Sequence, residues 1–278
     1  MAALYSTLPR ELRDCIYEYV LTDPVGLSYR TGDDGFSRIC ASSSFDLVQD
    51  APANTKKRRL WSSVYSAFCA MFSLGSSQQQ VESFNQIQYV SRAFRRETFG
   101  LEFRYNGVVF EDSERLGAAQ RCRVFVNKVH GRDYADNLTL YIMGSHLSLK
   151  REAATQALTL LEFCAHHPKA TIRLHDHLWS LKDPNFILLG LAYTTALRGD
   201  RDGLTRLMRN SDPTLSFDLS DVCTTLPKKI PRNYRFLPAE KHLSRATLMA
   251  SYHRSPILDG TDASQWIDLA EHWFKEGV

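Results

Sequence analysis

The chain has 278 residues, of which 44% are hydrophobic and 23% charged, and a formal net charge of +3. That apolar content excludes wholesale disorder, and the length accommodates one large domain or two modest ones with a real core. The charge is too small to argue by itself for nucleic acid, and no apolar stretch reaches the roughly twenty residues of a membrane span.

In chain order, the first element is a helix opening at Leu8-Pro9-Arg10-Glu11-Leu12. Pro9 suits the first helical position, where a missing N–H costs nothing, and Glu11 favours the positive end of the macrodipole. Leu8, Leu12, Ile16 and Val20 recur every fourth residue, with Cys15 and Tyr19 beside them, which predicts one apolar stripe. Pro24 ends the helix. Residues 26–59 read as an irregular loop, with at most one short strand or helix near Phe45–Val48. Leu60–Leu74 and Val81–Tyr105 read as helices, the second a long one.

The pattern then alternates. Strands are predicted at 107–111, 137–143 and 170–175, with helices at 115–129, 149–166 and 186–198. This order predicts a small parallel or mixed sheet with helices against it, or a degenerate β-α repeat. Leu215–Leu219 reads as a strand, 226–232 as a basic, proline-bounded connector, and 263–275 as a terminal helix.

The opening Leu8-Pro9-x-Glu11-Leu12-Arg13-x-x-Ile16-Tyr17 and the later Val90-Ser91-Arg92-Ala93-Phe94-Arg95-Arg96-Glu97 together resemble a group of fungal F-box-like proteins. The two blocks lie about sixty residues apart, wider than one compact three-helix unit carries as structureless loop. The resemblance covers roughly the first 110 residues. It implies a protein-interaction module in which Leu8, Pro9, Leu12, Ile16 and Val20 contact a Skp1-type adaptor of a ubiquitin ligase. The same side chains pack in the chain's own core if the motif is only structural.

Candidate chemistry is sparse. His166, His167, His175 and His177 form a histidine cluster, with His175 and His177 expected on one strand face and Asp176 on the other; a solvated turn accounts for them without a metal. Cys164 precedes His166 on a helix at a spacing that does not pair them, so it reads as a structural thiol. Gly144-Ser145-His146 lacks the Gly-x-Ser-x-Gly frame of a nucleophile elbow. No phosphate loop or dinucleotide fingerprint is present. Lys56-Lys57-Arg58-Arg59 is a basic run that reads as a solubilising loop or a nuclear import signal. The start Met1–Tyr5 lacks a basic leader region, and the six cysteines show no Cys-x-x-Cys pair. Cys15, Cys69, Cys122 and Cys164 are expected to be buried and reduced, which predicts a cytoplasmic or nuclear protein.

The expectation is therefore a mixed α/β (α+β) chain. Residues 1–106 form a helical F-box-like region with a loop insertion at about 26–59, and 107–278 form a β-α body with a helical C-terminus. It acts through a protein partner and is not an enzyme; no catalytic residue, cofactor, metal, small-molecule substrate or membrane contact is assigned, and nucleic acid is not expected. The alternative is a hydrolase with a site at the strand ends near Ser145 and His175.

Overall fold

The computed structural model describes residues 7–23, 26–31, 37–41, 84–85, 91–113, 116–144, 151–177, 179–199, 230–240, 242–255, 258 and 262–278. It is a mixed α and β structure, and the chain divides into two compact units, Met1–Val109 and Phe110–Val278.

In the first unit, helix α1 (Arg10–Leu21) precedes a hairpin of β1 (Leu27–Thr31) and β2 (Ser37–Ala41), paired antiparallel with Leu27 opposite Ala41 and Tyr29 opposite Ile39. Two short helices follow, α2 (Arg92–Thr98) and α3 (Leu101–Tyr105), and then β3 (Val108–Glu111), whose Val108 and Val109 run parallel to Leu27 and Ser28. Tyr17, Leu21, Leu27, Tyr29, Phe103, Val108 and Val109 are its buried core.

Three expectations change here. The segment read as irregular loop contains both strands of the hairpin. Pro9 is the residue before the helix, with ψ of 149°, and not its first helical residue. The long helix expected at 81–105 is broken: Ser91 caps α2, its hydroxyl accepting from Phe94 N–H at 3.1 Å, and Gly100 at φ 81° separates α2 from α3. Apolar spacing runs through that break because glycine alone supplies the left-handed turn.

In the second unit, α4 (Ala118–Val129) leads through a 3-10 turn (Ala135–Asn137) to β4 (Thr139–Met143). Then come α5 (Arg151–His166), β5 (Thr171–Asp176), α6 (Phe186–Arg198), β6 (Tyr234–Pro238), α7 (Arg245–Arg254) and α8 (Ala263–Glu276). β4, β5 and β6 are parallel neighbours, with Leu140 opposite Ile172 and Ile172 opposite Tyr234. Strand β6 and helix α7 were not among the expected elements. Hydrogen bonding orders β2-β1-β3 in the first unit and β4-β5-β6 in the second. The helix expected at Leu60–Leu74, the strand at Leu215–Leu219 and the basic run Lys56–Arg59 lie outside the described residues. Among those described, no helix is long and apolar enough to cross a membrane.

The core of the second unit is aromatic. Trp179 is fully buried, donates its indole N–H to Phe186 O at 3.0 Å, stacks on Phe186 and meets Trp273 edge-on at 5.4 Å. Gly190 on α6 makes room for this meeting: a Cβ there would lie 2.4 Å from Trp273 Cζ3 and 2.8 Å from Trp179 Cζ2. Tyr234 is also buried, but its hydroxyl has no hydrogen-bond partner among the described residues.

Two outcomes follow from this packing. Gly190→Ala is expected to destabilise by about 2 kcal/mol through overpacking, although alanine is the better helix former by about 1 kcal/mol. Tyr234→Phe is expected to stabilise by about 1 kcal/mol, because it removes an unsatisfied buried hydroxyl. Urea unfolding midpoints check both.

Candidate functional site

Helix α1 turns two different faces outward and inward. Tyr17 and Leu21 are buried, 2% and 1% exposed, with Arg13 half-buried on the same side. Residues 13, 17 and 21 are successive i, i+4 positions, so they form one inner line. The stripe expected from sequence lies beside that line and faces solvent: Leu12 is 52% exposed, Ile16 38%, Tyr19 57% and Val20 47%. Pro9 and Cys15 are exposed and Leu8 is half-buried. Cys15 is therefore not the buried thiol expected of it.

What holds the inner line is a carboxylate on α2. Glu97 Oε1 accepts from Arg13 Nη1 at 2.5 Å and Oε2 accepts from the Tyr17 hydroxyl at 2.7 Å. The Tyr17 hydrogen bond, and then the Arg13 guanidinium, hold the Glu97 carboxyl below its ordinary range. Both blocks of the sequence motif meet here, the first supplying Arg13 and Tyr17 and the second Glu97. The sequence analysis gives Arg13, Tyr17 and Glu97 no role beyond their places in the motif. The only signal for them was a tyrosine and an arginine four residues apart within the motif.

The C-terminal end of α1 is fixed separately. Asn106, 6% exposed, donates through Nδ2 to Leu21 O at 2.5 Å and to Glu102 O at 2.7 Å, and its Oδ1 accepts from Asp23 N–H at 2.6 Å. Those bonds satisfy carbonyls at the ends of α1 and α3 that have no partner within their helices. Beneath them Glu102 is 9% exposed, and burial pushes its carboxyl up, partly offset by the hydrogen bond from Asn85 at 2.9 Å.

The histidines fall in two separate places. His175 is buried, and its Nδ1–H donates to Pro238 O at 2.9 Å. Asp176 is buried too and accepts from the Tyr193 hydroxyl at 2.5 Å. His177 is exposed beyond the strand end. His166 and His167 instead lie near His130. Ser145 and His146 fall outside the described residues. Cys40, Cys122 and Cys164 are buried free thiols, and burial pushes Cys164 up to about 12, which suits an inert structural role. Among the described residues no three His, Cys, Asp or Glu side chains are already assembled as a metal-binding group.

Compared with known protein families, curated proteins and solved structures, the chain shows no match.

A carboxylate with a lowered folded pKa stabilises above its unfolded range, and that contribution is lost as pH falls through the folded value. Tyr17→Phe removes the largest cause of the Glu97 shift. It is expected to cost about 1 kcal/mol at neutral pH and to lose less further stability than wild type on acidification. Chemical denaturation at neutral and acid pH checks both the cost and the flattened acid limb.

Proposed function

We propose that this chain is an F-box-like protein-interaction module that offers the outer face of α1 to a Skp1-type adaptor and so serves as a substrate receptor of a ubiquitin ligase. Leu12, Ile16 and Val20, with Leu8 and Pro9 at the start of the helix, form the contact set. The remaining chain carries the recognised target, and the protein works in the cytoplasm or nucleus without catalytic activity of its own.

One observation carries this reading: the aliphatic stripe of the motif is exposed while the helix is anchored through a different face. Isolated exposed apolar side chains need no explanation, but several on one helix face mark an interaction surface. Fully burying a leucine, isoleucine or valine side chain is worth about 1.5–3 kcal/mol. Three such anchors on one face are the usual means by which a partner groove holds an amphipathic helix, after the costs of association are met. Tyr19 adds an aromatic body with a polar tip, a type enriched at interfaces.

The exposure also makes the test clean, because the contact set can be altered without entering the core. Purified wild-type chain is expected to retain a Skp1-type adaptor in a pull-down. Leu12→Glu/Ile16→Glu is expected to lose at least about tenfold in affinity, the loss of one modest anchor, with unchanged circular dichroism and thermal midpoint. A wild-type chain that fails to retain the adaptor, or a folded double variant that binds as well as wild type, overturns the reading.

A further inference from the structure

In the second unit, the amino ends of β4 and β5 bring together three histidines and an aspartate. His130 caps α4, Asp136 lies in the 3-10 turn before β4, His166 is the last residue of α5 and His167 follows it. α4 and α5 pack against each other. Their C-terminal ends therefore lie near this cluster, and the partial negative charge of a helix C-terminus favours a cation.

The hydrogen bonds fix how the rings are oriented. His167 Nδ1–H donates to Asp136 Oδ1 at 2.7 Å, which turns Nε2 away from the carboxylate; in the neutral ring Nε2 carries the lone pair. His166 Nδ1–H donates to Glu162 O at 2.7 Å, which likewise leaves its Nε2 as the ligating nitrogen. His130 Nδ1–H donates to His167 Nε2 at 3.3 Å, and an ion bound between the two nitrogens takes the place of that proton. Two nitrogens held by one tetrahedral zinc at about 2.05 Å each lie about 3.3 Å apart. A carboxylate behind a ligating imidazole is also the arrangement that orients such a ligand and raises its basicity.

The supporting structure is firm and the approach is open. Asn233 Nδ2 lies within hydrogen-bonding distance of Cys164 O, His167 O and Ala170 O, so it clamps the turn that carries His167. The Phe163 ring lies 4.6 Å from the His167 ring. The His167 side chain is 13% exposed, while His130 and His166 are exposed.

We propose that His130 Nδ1 and His167 Nε2, oriented by Asp136, bind a divalent zinc-class ion. His166 joins by a side-chain rotation that gives up its bond to Glu162 O, its ring now 5.7 Å from that of His130, and water completes the shell. Imidazole ligands of this kind suit zinc, copper and nickel. Sequence spacing gives no sign of the pair His130/His167; it groups His166 and His167 with His175 and His177 and accounts for them as a solvated turn.

The test uses the full chain with no affinity tag. Calorimetric titration with zinc is expected to give one equivalent. His130→Ala and His167→Ala are each expected to weaken binding at least tenfold, and Asp136→Asn about tenfold, the scale of losing an orienting partner. His253→Ala on α7 is expected to leave it unchanged, and circular dichroism confirms each fold. Cobalt titration of the wild type gives a reading independent of the variants, with visible bands of a tetrahedral imidazole site expected. No zinc uptake and no cobalt bands, or uptake equal in the His130→Ala/His167→Ala double variant, overturns the proposal and leaves a hydrogen-bonded histidine relay.

Discussion

The rotation of α1 about its own axis decides what the first unit presents to solvent, and the Glu97 carboxylate sets it. Burial alone favours a different rotation, because three aliphatic side chains on the outer face would each gain by entering the core. Against that stand one large aromatic and one leucine already buried, Tyr17 and Leu21, and two hydrogen bonds to a charged acceptor. Turning Tyr17 outward would also strip Glu97 of both its partners. Asn106 adds an independent constraint one turn further on, since it grips Leu21 O and Asp23 N–H together. With the helix held at its middle and its end, the aliphatic face has no path inward, and its exposure follows from polar interactions on the opposite side.

This explains why the candidate site was half legible. Hydrophobic periodicity names a face of a helix but not what covers it. Leu12, Ile16 and Val20 were identifiable from spacing, whereas their exposure depends on Arg13, Tyr17 and a glutamate about eighty residues away, which no local pattern connects. The second unit was easier where one period dominated. The continuous apolar run Phe186–Arg198 became α6 with the bounds expected, and the alternation around Leu140, Ile142, Ile172 and Leu174 became β4 and β5. Elements with mixed signals were lost. β1 and β2 carry Arg30 and Arg38 opposite each other on short strands, β6 ends in Pro238 and follows Pro231, and α7 has little separation of polar from apolar residues. In each, pairing or packing against distant chain overrides a weak local preference.

The same reasoning bears on the histidines. Sequence proximity suggested that His166 and His167 belonged with His175 and His177, yet β5 carries the chain from one end of the strands to the other between the two pairs. His130, more than thirty residues upstream of His166, comes close because α4 and α5 pack side by side and finish at the same level. An ion held there would join the C-terminal end of α4, the 3-10 turn through Asp136 and the C-terminal end of α5. Such an ion binds the folded chain and finds no assembled pair in the unfolded one, so its binding energy adds to folding stability. The outer face of α1 and the histidine cluster lie in different units of the chain and rest on different residues. A metal-dependent stability would therefore say nothing about whether the outer face of α1 has a partner.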